Sequence, residues 1–171
     1  GLGGGSADAA FALKMLNDYF ALRLTATQLE AYAARIGADC PFFIQNKPTF
    51  AHGIGDQFKP VNLDLSAYEI VIVKPPFSVS TPQAYRNIVS AKPGFNLLKI
   101  DQLPIEDWEK VVKNDFEKSV FPQFPEIENL KNWLYEAGAV YASMSGSGSA
   151  VFGIFRHLPT NLDKYLPEGI F

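Results

Sequence analysis

The sequence predicts an α+β fold, and three observations lead to that class. Apolar residues recur at helical spacing near the start of the chain and again from Pro125. β-branched residues mark a strand at 68–74, and two more strands are expected on either side of a glycine-serine loop near the end of the chain. These helices and strands do not alternate as a regular series of β-α-β units, which a parallel α/β sheet would require.

The first part of the chain is predicted to be mainly helical. A helix is expected from Ser6 to about Phe20, with its apolar face formed by Ala9, Leu13, Leu16 and Phe20. A second helix is indicated by Thr27 and Glu30, which have capping-box spacing, and by Gly37, which suits its end. The apolar face of this second helix is formed by Leu29, Ala33 and Ile36.

Short strands are expected next, at 49–52 and 57–59, joined by a turn that contains two glycines. A domain boundary is expected near residues 60–66, and we place it between 61 and 62. The chain is thus divided into domains at 1–61 and 62–171. Its 171 residues, 47% of them hydrophobic, are enough for one large core or two small ones.

The second part of the chain is predicted to mix both kinds of element. Pro75 and Pro76 end the strand at 68–74, and Pro82 suits the first turn of a short helix. A longer helix is expected from Pro125 to Gly138, with Ile127, Leu130, Leu134 and Ala137 facing inward. The remaining expectations are an irregular segment at 91–103, short helices at 105–112 and 114–120, and strands at 139–144 and 150–155.

The chain opens with a glycine-rich segment, Gly1-Leu2-Gly3-Gly4-Gly5-Ser6-Ala7, that leads directly into the first predicted helix. Glycines allow backbone N–H groups to approach a ligand closely, and a helix start adds unpaired N–H donors and the positive end of a dipole. These properties are typical of a phosphate-binding loop, although flexible linkers have a similar composition. The segment is not a Walker A motif because no lysine follows the glycines, and it is not a Rossmann fingerprint because no strand precedes it.

Asp39 is the leading candidate for a catalytic group. It follows Gly37 and precedes Pro41 and two phenylalanines. A carboxylate among apolar residues is costly to bury unless it is hydrogen-bonded or used in catalysis. An aspartate shortly before a proline is also a common turn residue, so the pattern alone leaves both interpretations open.

Other residues could bind a ligand or serve only the fold. The segment from Ser145 to Ser149 could form a second anion-binding loop, although the pattern by itself favours a tight connection between two strands. Tyr85 could stack on a ligand ring or belong to the core. His52 and Cys40 are expected to be structural.

The composition argues against several classes of partner. The net charge of −3 and the lack of a basic run disfavour nucleic acid, and no apolar run has the length of a membrane span. The single cysteine excludes an internal disulfide, which fits a cytoplasmic protein. Two histidines and one cysteine also argue against a metal site built from these ligands.

The two glycine-rich segments resemble two motifs of the GHMP small-molecule kinases. Residues 1–10 are similar to the second motif of that family, and residues 143–152 are similar to its third motif. The segments 37–43 and 50–56 narrow the resemblance to the branch that phosphorylates 4-diphosphocytidyl-2-C-methyl-D-erythritol in non-mevalonate isoprenoid biosynthesis. The segment from Pro75 to Tyr85 fits the same branch.

The resemblance implies a GHMP kinase fold, with an incomplete N-terminal domain (ribosomal S5 domain 2-like) at 1–61 and a ferredoxin-like C-terminal domain at 62–171. It implies transfer of the ATP γ-phosphoryl group to the 2-hydroxyl of the cytidine diphosphate-linked methylerythritol, with Mg²⁺ arriving on ATP rather than in a dedicated metal site. Asp39 matches the catalytic aspartate of the family. The ATP phosphates are assigned to Gly1, Leu2, Gly3, Gly4, Gly5, Ser6 and Ala7. The substrate is assigned to Tyr85, Gly146, Ser147 and Gly148.

The chain departs from the family pattern at its start. In the family, a catalytic lysine and part of the nucleotide site precede the glycine motif, and the given sequence begins at that motif. We therefore expect a C-terminal part of a longer cytoplasmic enzyme, nearly inactive by itself, whose exposed apolar helices at 6–37 promote self-association. Two alternatives stay open: another GHMP kinase, acting on homoserine or mevalonate, and a non-catalytic module that binds nucleotide through its glycine loops.

Overall fold

The computed structural model describes residues 1–53, 55, 57–86, 88, 94–160 and 162. The α-helices are α1 (Gly4–Tyr19), α2 (Ala26–Ala34), α3 (Phe42–Gln45), α4 (Thr81–Tyr85), α5 (Trp108–Val111), α6 (Phe116–Val120) and α7 (Pro125–Glu136). The strands are β1 (Thr49–His52), β2 (Gln57–Pro60), β3 (Glu69–Val73), β4 (Tyr141–Met144) and β5 (Val151–Phe155). Two 3₁₀ segments occupy Leu97–Gln102 and Ile105–Asp107.

The chain forms two compact units. The first, which we call the helical unit, contains Gly3–Leu63 and Leu97–Asp101. The second, the sheet unit, contains Gly1–Leu2, Asp64–Asn96 and Gln102–Phe171. The assignment of 1–61 and 62–171 to two domains of the family fold stays a prediction.

The helical unit packs α1, α2 and α3 around a small core. Its buried residues are Ala10, Leu29, Ala33, Cys40 and Ile44, and Ala9, Leu13, Leu24 and Phe43 pack against them. β1 and β2 form the predicted antiparallel hairpin, in which Thr49 pairs with Pro60 and His52 with Gln57. The structural role expected for Cys40 agrees with its burial in this core.

The capping box of α2 lies two residues earlier than predicted. The Gln28 N–H donates to Thr25 Oγ1 (3.3 Å), and the Thr25 N–H donates to Gln28 Oε1 (2.9 Å). Thr27 and Glu30 have the same spacing, so the prediction chose the wrong one of two equivalent pairs. The helix also ends at Ala34, three residues before the predicted glycine stop.

Part of the predicted apolar face is exposed. Ala9 and Leu13 pack on the core of the helical unit, but Leu16 is 43% exposed, Phe20 61% and Ile36 58%. The exposure of these last three residues agrees with the expectation that the helices at 6–37 present an exposed apolar face. Large side chains of α1 that the prediction did not place are exposed as well: Phe11, Met15 and Tyr19.

The sheet unit is an antiparallel three-stranded sheet covered by α7. The strand order is β3-β5-β4, with Val71 opposite Gly153 and Tyr141 opposite Ile154. The helix buries the predicted residues Ile127, Leu130 and Leu134 against it, whereas Ala137 is only partly buried. A Cβ on Gly153 would lie 3.1 Å from Leu134 Cδ2, so a small residue in β5 permits this close packing.

The remaining elements agree with the sequence pattern within a few residues. The strands expected at 68–74, 139–144 and 150–155 are present as β3, β4 and β5. The segment expected to be irregular at 91–103 contains a 3₁₀ segment, and its residues 91–93 lie outside the described residues. Among the described helices, none combines the length and apolar character that crossing a membrane requires.

Candidate active site

The first turn of α1 presents backbone N–H groups that have no acceptor within the helix. The first bond of the helix runs from the Ala7 N–H to the Gly3 carbonyl (2.9 Å), so the N–H groups of Gly4, Gly5 and Ser6 are left over. Gly3 is the N-cap, with φ of 67°, and no side chain caps the helix. An uncapped N-terminus of a 16-residue helix, with no acidic residue in its first turn, is suited to bind an anion.

Packing requires a glycine at only some positions of this turn. A Cβ on Gly3 would lie 3.0 Å from Cζ of Phe43, so this glycine allows α3 to pack against the start of α1. A Cβ on Gly4 or Gly5 would meet no described atom within 4 Å. Packing within the described chain therefore does not require glycine at these two positions, whereas close approach of a ligand to the backbone would.

Asp39 lies in the turn between α2 and α3, in the same unit as the start of α1. Its side chain is exposed, while the next two residues, Cys40 and Pro41, are buried and hold the turn in place. Oδ1 of Asp39 lies 4.0 Å from the position of a Cβ on Gly55, so the carboxylate faces the turn of the β1–β2 hairpin. As far as the chain is described, this carboxylate makes no hydrogen bond or ion pair, so it can accept a proton or orient a hydroxyl group.

In the sheet unit, Gly1 lies against the loop between β4 and β5. Ser145 Oγ donates to the Gly1 carbonyl oxygen at 2.6 Å. A Cβ on Gly1 would lie 2.8 Å from the carbonyl oxygen of Gly148 and 3.1 Å from that of Ser145, so only glycine permits this contact. Within the sheet unit, the first residue of the opening glycine-rich segment thus lies against the second glycine-rich segment.

The β4–β5 loop has a defined shape. The Ser145 N–H donates to the Ala150 carbonyl (2.8 Å), and the Gly148 N–H donates to the Ser145 carbonyl (3.0 Å). Ser149 Oγ donates to the Phe77 carbonyl (2.6 Å). The loop is the predicted connection between two strands, and its φ angles of 56° at Gly146 and 86° at Gly148 favour glycine.

Two side chains that hold this loop were not found in the sequence analysis. Asn114 donates to the carbonyl oxygens of Met144 (2.7 Å) and Gly146 (2.9 Å), and Glu117 accepts from the Met144 N–H (2.9 Å). These contacts join residues about thirty positions apart, at 27, 30 and 32 positions in the chain. Neither periodicity nor a local motif could therefore have indicated them.

Two further candidate residues are Tyr85, in the sheet unit, and His52, in the helical unit. Tyr85 ends α4 in the sheet unit and is 59% exposed, with its ring edge-on to Phe116 at 4.8 Å between centroids. It is therefore a surface residue rather than a core residue. His52 ends β1 in the helical unit and stacks on Phe50 at 6.0 Å between centroids. A search of the described residues finds no group of three or more His, Cys, Asp and Glu side chains that could hold a metal ion.

Comparison with known proteins identifies relatives for nearly the whole chain. A 4-diphosphocytidyl-2-C-methyl-D-erythritol kinase of Parabacteroides distasonis is 56% identical over 164 residues, which cover 96% of this chain and 60% of the relative. The kinase of the same name from Bacteroides fragilis is 57% identical over 155 residues, which cover 91% of this chain and 57% of the relative. The chain therefore spans less than two thirds of the length of these curated relatives.

Solved structures show the same relationship. A crystal structure of 4-(cytidine 5'-diphospho)-2C-methyl-D-erythritol kinase has a TM-score of 0.70 and 29% identity, and the match covers 94% of this chain and 57% of that one. The homoserine kinase from Cytophaga hutchinsonii has a TM-score of 0.52 and 16% identity, covering 88% and 53%, and shares the fold alone.

Two family models match the chain in the order in which the domains occur in the family. The GHMP kinases N terminal domain matches residues 1–47, and GHMP kinases C terminal matches residues 100–162. These matches and the structural relatives confirm the predicted α+β GHMP kinase fold. The chain belongs to the GHMP kinase family.

Proposed function

We propose that the intact protein containing this chain is an ATP-dependent kinase that phosphorylates the 2-hydroxyl group of 4-diphosphocytidyl-2-C-methyl-D-erythritol in non-mevalonate isoprenoid biosynthesis. The observation that carries the proposal is the uncapped, glycine-lined start of α1. It lies in the same unit as the carboxylate of Asp39, which is exposed and has no partner among the described residues. Relatives more than 50% identical, named for this kinase activity, support the choice of substrate.

The ATP phosphates would be bound by the segment from Gly1 to Ala7. Phosphoryl transfer depends mainly on positioning and on stabilising charge on the phosphate oxygens, and backbone N–H groups at a helix start provide both. Among the described residues, the N–H groups of Gly4, Gly5 and Ser6 have no acceptor and the space next to the two glycines is open, which supports this assignment. Mg²⁺ would arrive with ATP and neutralise part of the phosphate charge.

Asp39 would act on the acceptor alcohol. As the 2-hydroxyl oxygen forms its bond to the γ-phosphorus, the bond from that phosphorus to the departing ADP breaks, and the hydroxyl proton passes to the Asp39 carboxylate. A general base of this kind contributes about 10²–10⁴ in rate. The exposure of Asp39 and its lack of a partner among the described residues support this role.

The acceptor would be held by residues of the sheet unit. Tyr85 exposes 59% of its surface, so its ring can stack on the cytosine, a contact worth about 1–3 kcal/mol. The loop residues Gly146, Ser147 and Gly148 would bind the phosphate end of the substrate through their backbone. A cytoplasmic location belongs to the same proposal, since ATP is available there and the single Cys40 would stay reduced.

The test is ADP release from the intact protein with three candidate acceptors: 4-diphosphocytidyl-2-C-methyl-D-erythritol, homoserine and mevalonate. We expect turnover with the first acceptor alone. Turnover with homoserine or mevalonate instead would assign the protein to another branch of the family.

The role of Asp39 is tested by Asp39→Asn in the intact protein, with Asp18→Asn, another exposed carboxylate of the helical unit, as the control. We expect Asp39→Asn to lower kcat by about 10²–10⁴ while the Tm stays close to that of the wild type, because an exposed side chain contributes little to stability. Asp18→Asn should retain full activity. Wild-type turnover by Asp39→Asn would contradict the catalytic role and favour a non-catalytic nucleotide-binding module.

A further inference from the structure

Asn114 joins the start of α6 to the β4–β5 loop within the sheet unit. Its Nδ2 donates to the carbonyl oxygens of Met144 (2.7 Å) and Gly146 (2.9 Å), and its Oδ1 accepts from the Phe116 N–H (3.0 Å). The two carbonyl groups lie on either side of Ser145. One side chain therefore sets where the loop leaves β4 and how it turns.

Glu117, one turn further along α6, binds the same part of β4. Its Oε1 accepts from the Met144 N–H (2.9 Å) and from Ser143 Oγ (3.2 Å), and its Oε2 pairs with Lys131 Nζ (2.6 Å). The side chains of this ion pair are only 11% and 18% exposed, so water screens the pair little. Both backbone groups of Met144, the last residue of β4, are thus held by side chains of the segment 114–117.

The loop that follows Met144 is the one that touches Gly1. Ser145 donates to the Gly1 carbonyl (2.6 Å), so a shift of the loop would also move this contact. The N–H groups of Gly146 and Ser147 donate to no acceptor in the part of the chain that the structure describes. They are free to bind an anionic ligand only as long as the loop keeps its turn.

We propose that Asn114 and Glu117 are positioning residues, which hold the loop from Ser145 to Ser149 in the shape that binds the phosphate end of the acceptor substrate. This role rests on the proposed function of that loop. Neither residue needs to touch the substrate, because each acts through the backbone of Met144 or Gly146.

The sharpest variant is Asn114→Asp in the intact protein. It has the size of asparagine and keeps the oxygen that accepts from the Phe116 N–H, but it replaces the donor with an oxygen that faces two carbonyl groups. We expect the KM for the acceptor to rise about tenfold while kcat stays within about twofold of the wild type, which is the signature of lost substrate binding. A purely structural defect would lower the fraction of active enzyme and hence the apparent kcat, and would leave the KM unchanged.

A conservative variant of Glu117 and a control variant on the surface complete the kinetic test. Glu117→Gln keeps an oxygen for the Met144 N–H and should retain the acceptor KM, whereas Glu117→Leu should raise it. Lys118→Gln, on the same helix but in an ion pair whose lysine is 76% exposed, should change neither constant. Asn114→Ala, which removes the donor without adding charge, serves as the second variant if Asn114→Asp does not fold.

Hydrogen exchange without ligand separates this proposal from the assignment of the reaction. In Asn114→Asp, amides of the segment 143–150 should exchange about tenfold faster than in the wild type, while amides of α7 are unchanged. Unchanged exchange in 143–150, or faster exchange with an unchanged acceptor KM, would overturn the positioning role. If amides of 143–150 exchange faster in Asn114→Asp but the wild type does not phosphorylate the acceptor, Asn114 does hold the loop in its shape and the proposed reaction is refuted.

Discussion

Replacing Gly1 and Gly5 separately by alanine in the intact protein should change stability in opposite directions. Both glycines belong to the same seven-residue segment, but their surroundings differ. At Gly1 a Cβ would lie 2.8 Å from the carbonyl oxygen of Gly148 and 3.1 Å from that of Ser145, and backbone atoms cannot rotate away as a side chain does. At Gly5 a Cβ would meet nothing within 4 Å.

The two contributions can be estimated from these contacts. Forcing a methyl group into the Gly1 site costs about 1–3 kcal/mol, and losing the bond from Ser145 to the Gly1 carbonyl costs about 0.5–1.5 kcal/mol more. Gly5 lies inside α1, where alanine is favoured over glycine by about 0.5–1 kcal/mol. We therefore expect Gly1→Ala to lower the free energy of unfolding by about 1.5–4.5 kcal/mol and Gly5→Ala to raise it by up to about 1 kcal/mol.

Urea unfolding of the ligand-free variants measures these differences, and nucleotide binding adds a second readout. Gly5→Ala should weaken ATP binding although it stabilises the protein, because its methyl group would occupy the space into which the phosphates approach the backbone. Equal stability of Gly1→Ala and the wild type would refute the packing of Gly1 on the β4–β5 loop. Undiminished ATP affinity in Gly5→Ala would refute the phosphate-binding role of this turn.

Three further predictions follow from individual features of the two units. Burial raises the pKa of Tyr141 to about 12, so the folded protein keeps this proton when the unfolded chain loses it near pH 10. The free energy of unfolding should therefore fall as the pH rises from about 10 to 12. In unfolding experiments at several pH values, Tyr141→Phe should make this fall less steep, and an equally steep fall would contradict the effect of burial. Thr25→Ala should cost about 1 kcal/mol of stability and Thr27→Ala should be nearly neutral, as measured by urea unfolding, since only the first residue caps α2; the reverse order would restore the capping box predicted from the sequence. The 171-residue chain should self-associate through the exposed side chains of α1, and Phe11→Glu with Met15→Lys should reduce its mass in sedimentation experiments; a monomeric chain at all concentrations would refute this.

Most of the secondary structure could be predicted because it depends on short-range patterns. The inward residues of α7 recur at helical spacing, and Ile127, Leu130 and Leu134 are indeed buried. The β1–β2 hairpin follows from strand residues on both sides of a glycine-containing turn. The predictions that were wrong concern choices between equivalent local patterns, as between Thr25 and Thr27 at the start of α2.

The burial of the first helices could not be predicted in the same way. Helical spacing shows which side chains of α1 share a face, but it does not show what covers that face. Leu16 and Phe20 fit the apolar stripe and are exposed in the described chain, which was expected from the family resemblance and not from their spacing. Burial is decided by the partner element, and periodicity carries no information about that partner.

The candidate site could likewise be predicted from the sequence only in part. Residue types alone indicated a glycine-lined helix start, a carboxylate at Asp39 and a second glycine loop, because backbone freedom and side-chain charge are properties of single residues. The packing of Gly1 on Ser145, 144 positions away, and the bonds from Asn114 and Glu117 to the end of β4 emerged only from the folded chain. Such contacts depend on how distant segments meet in space, and no pattern of neighbouring residues determines that.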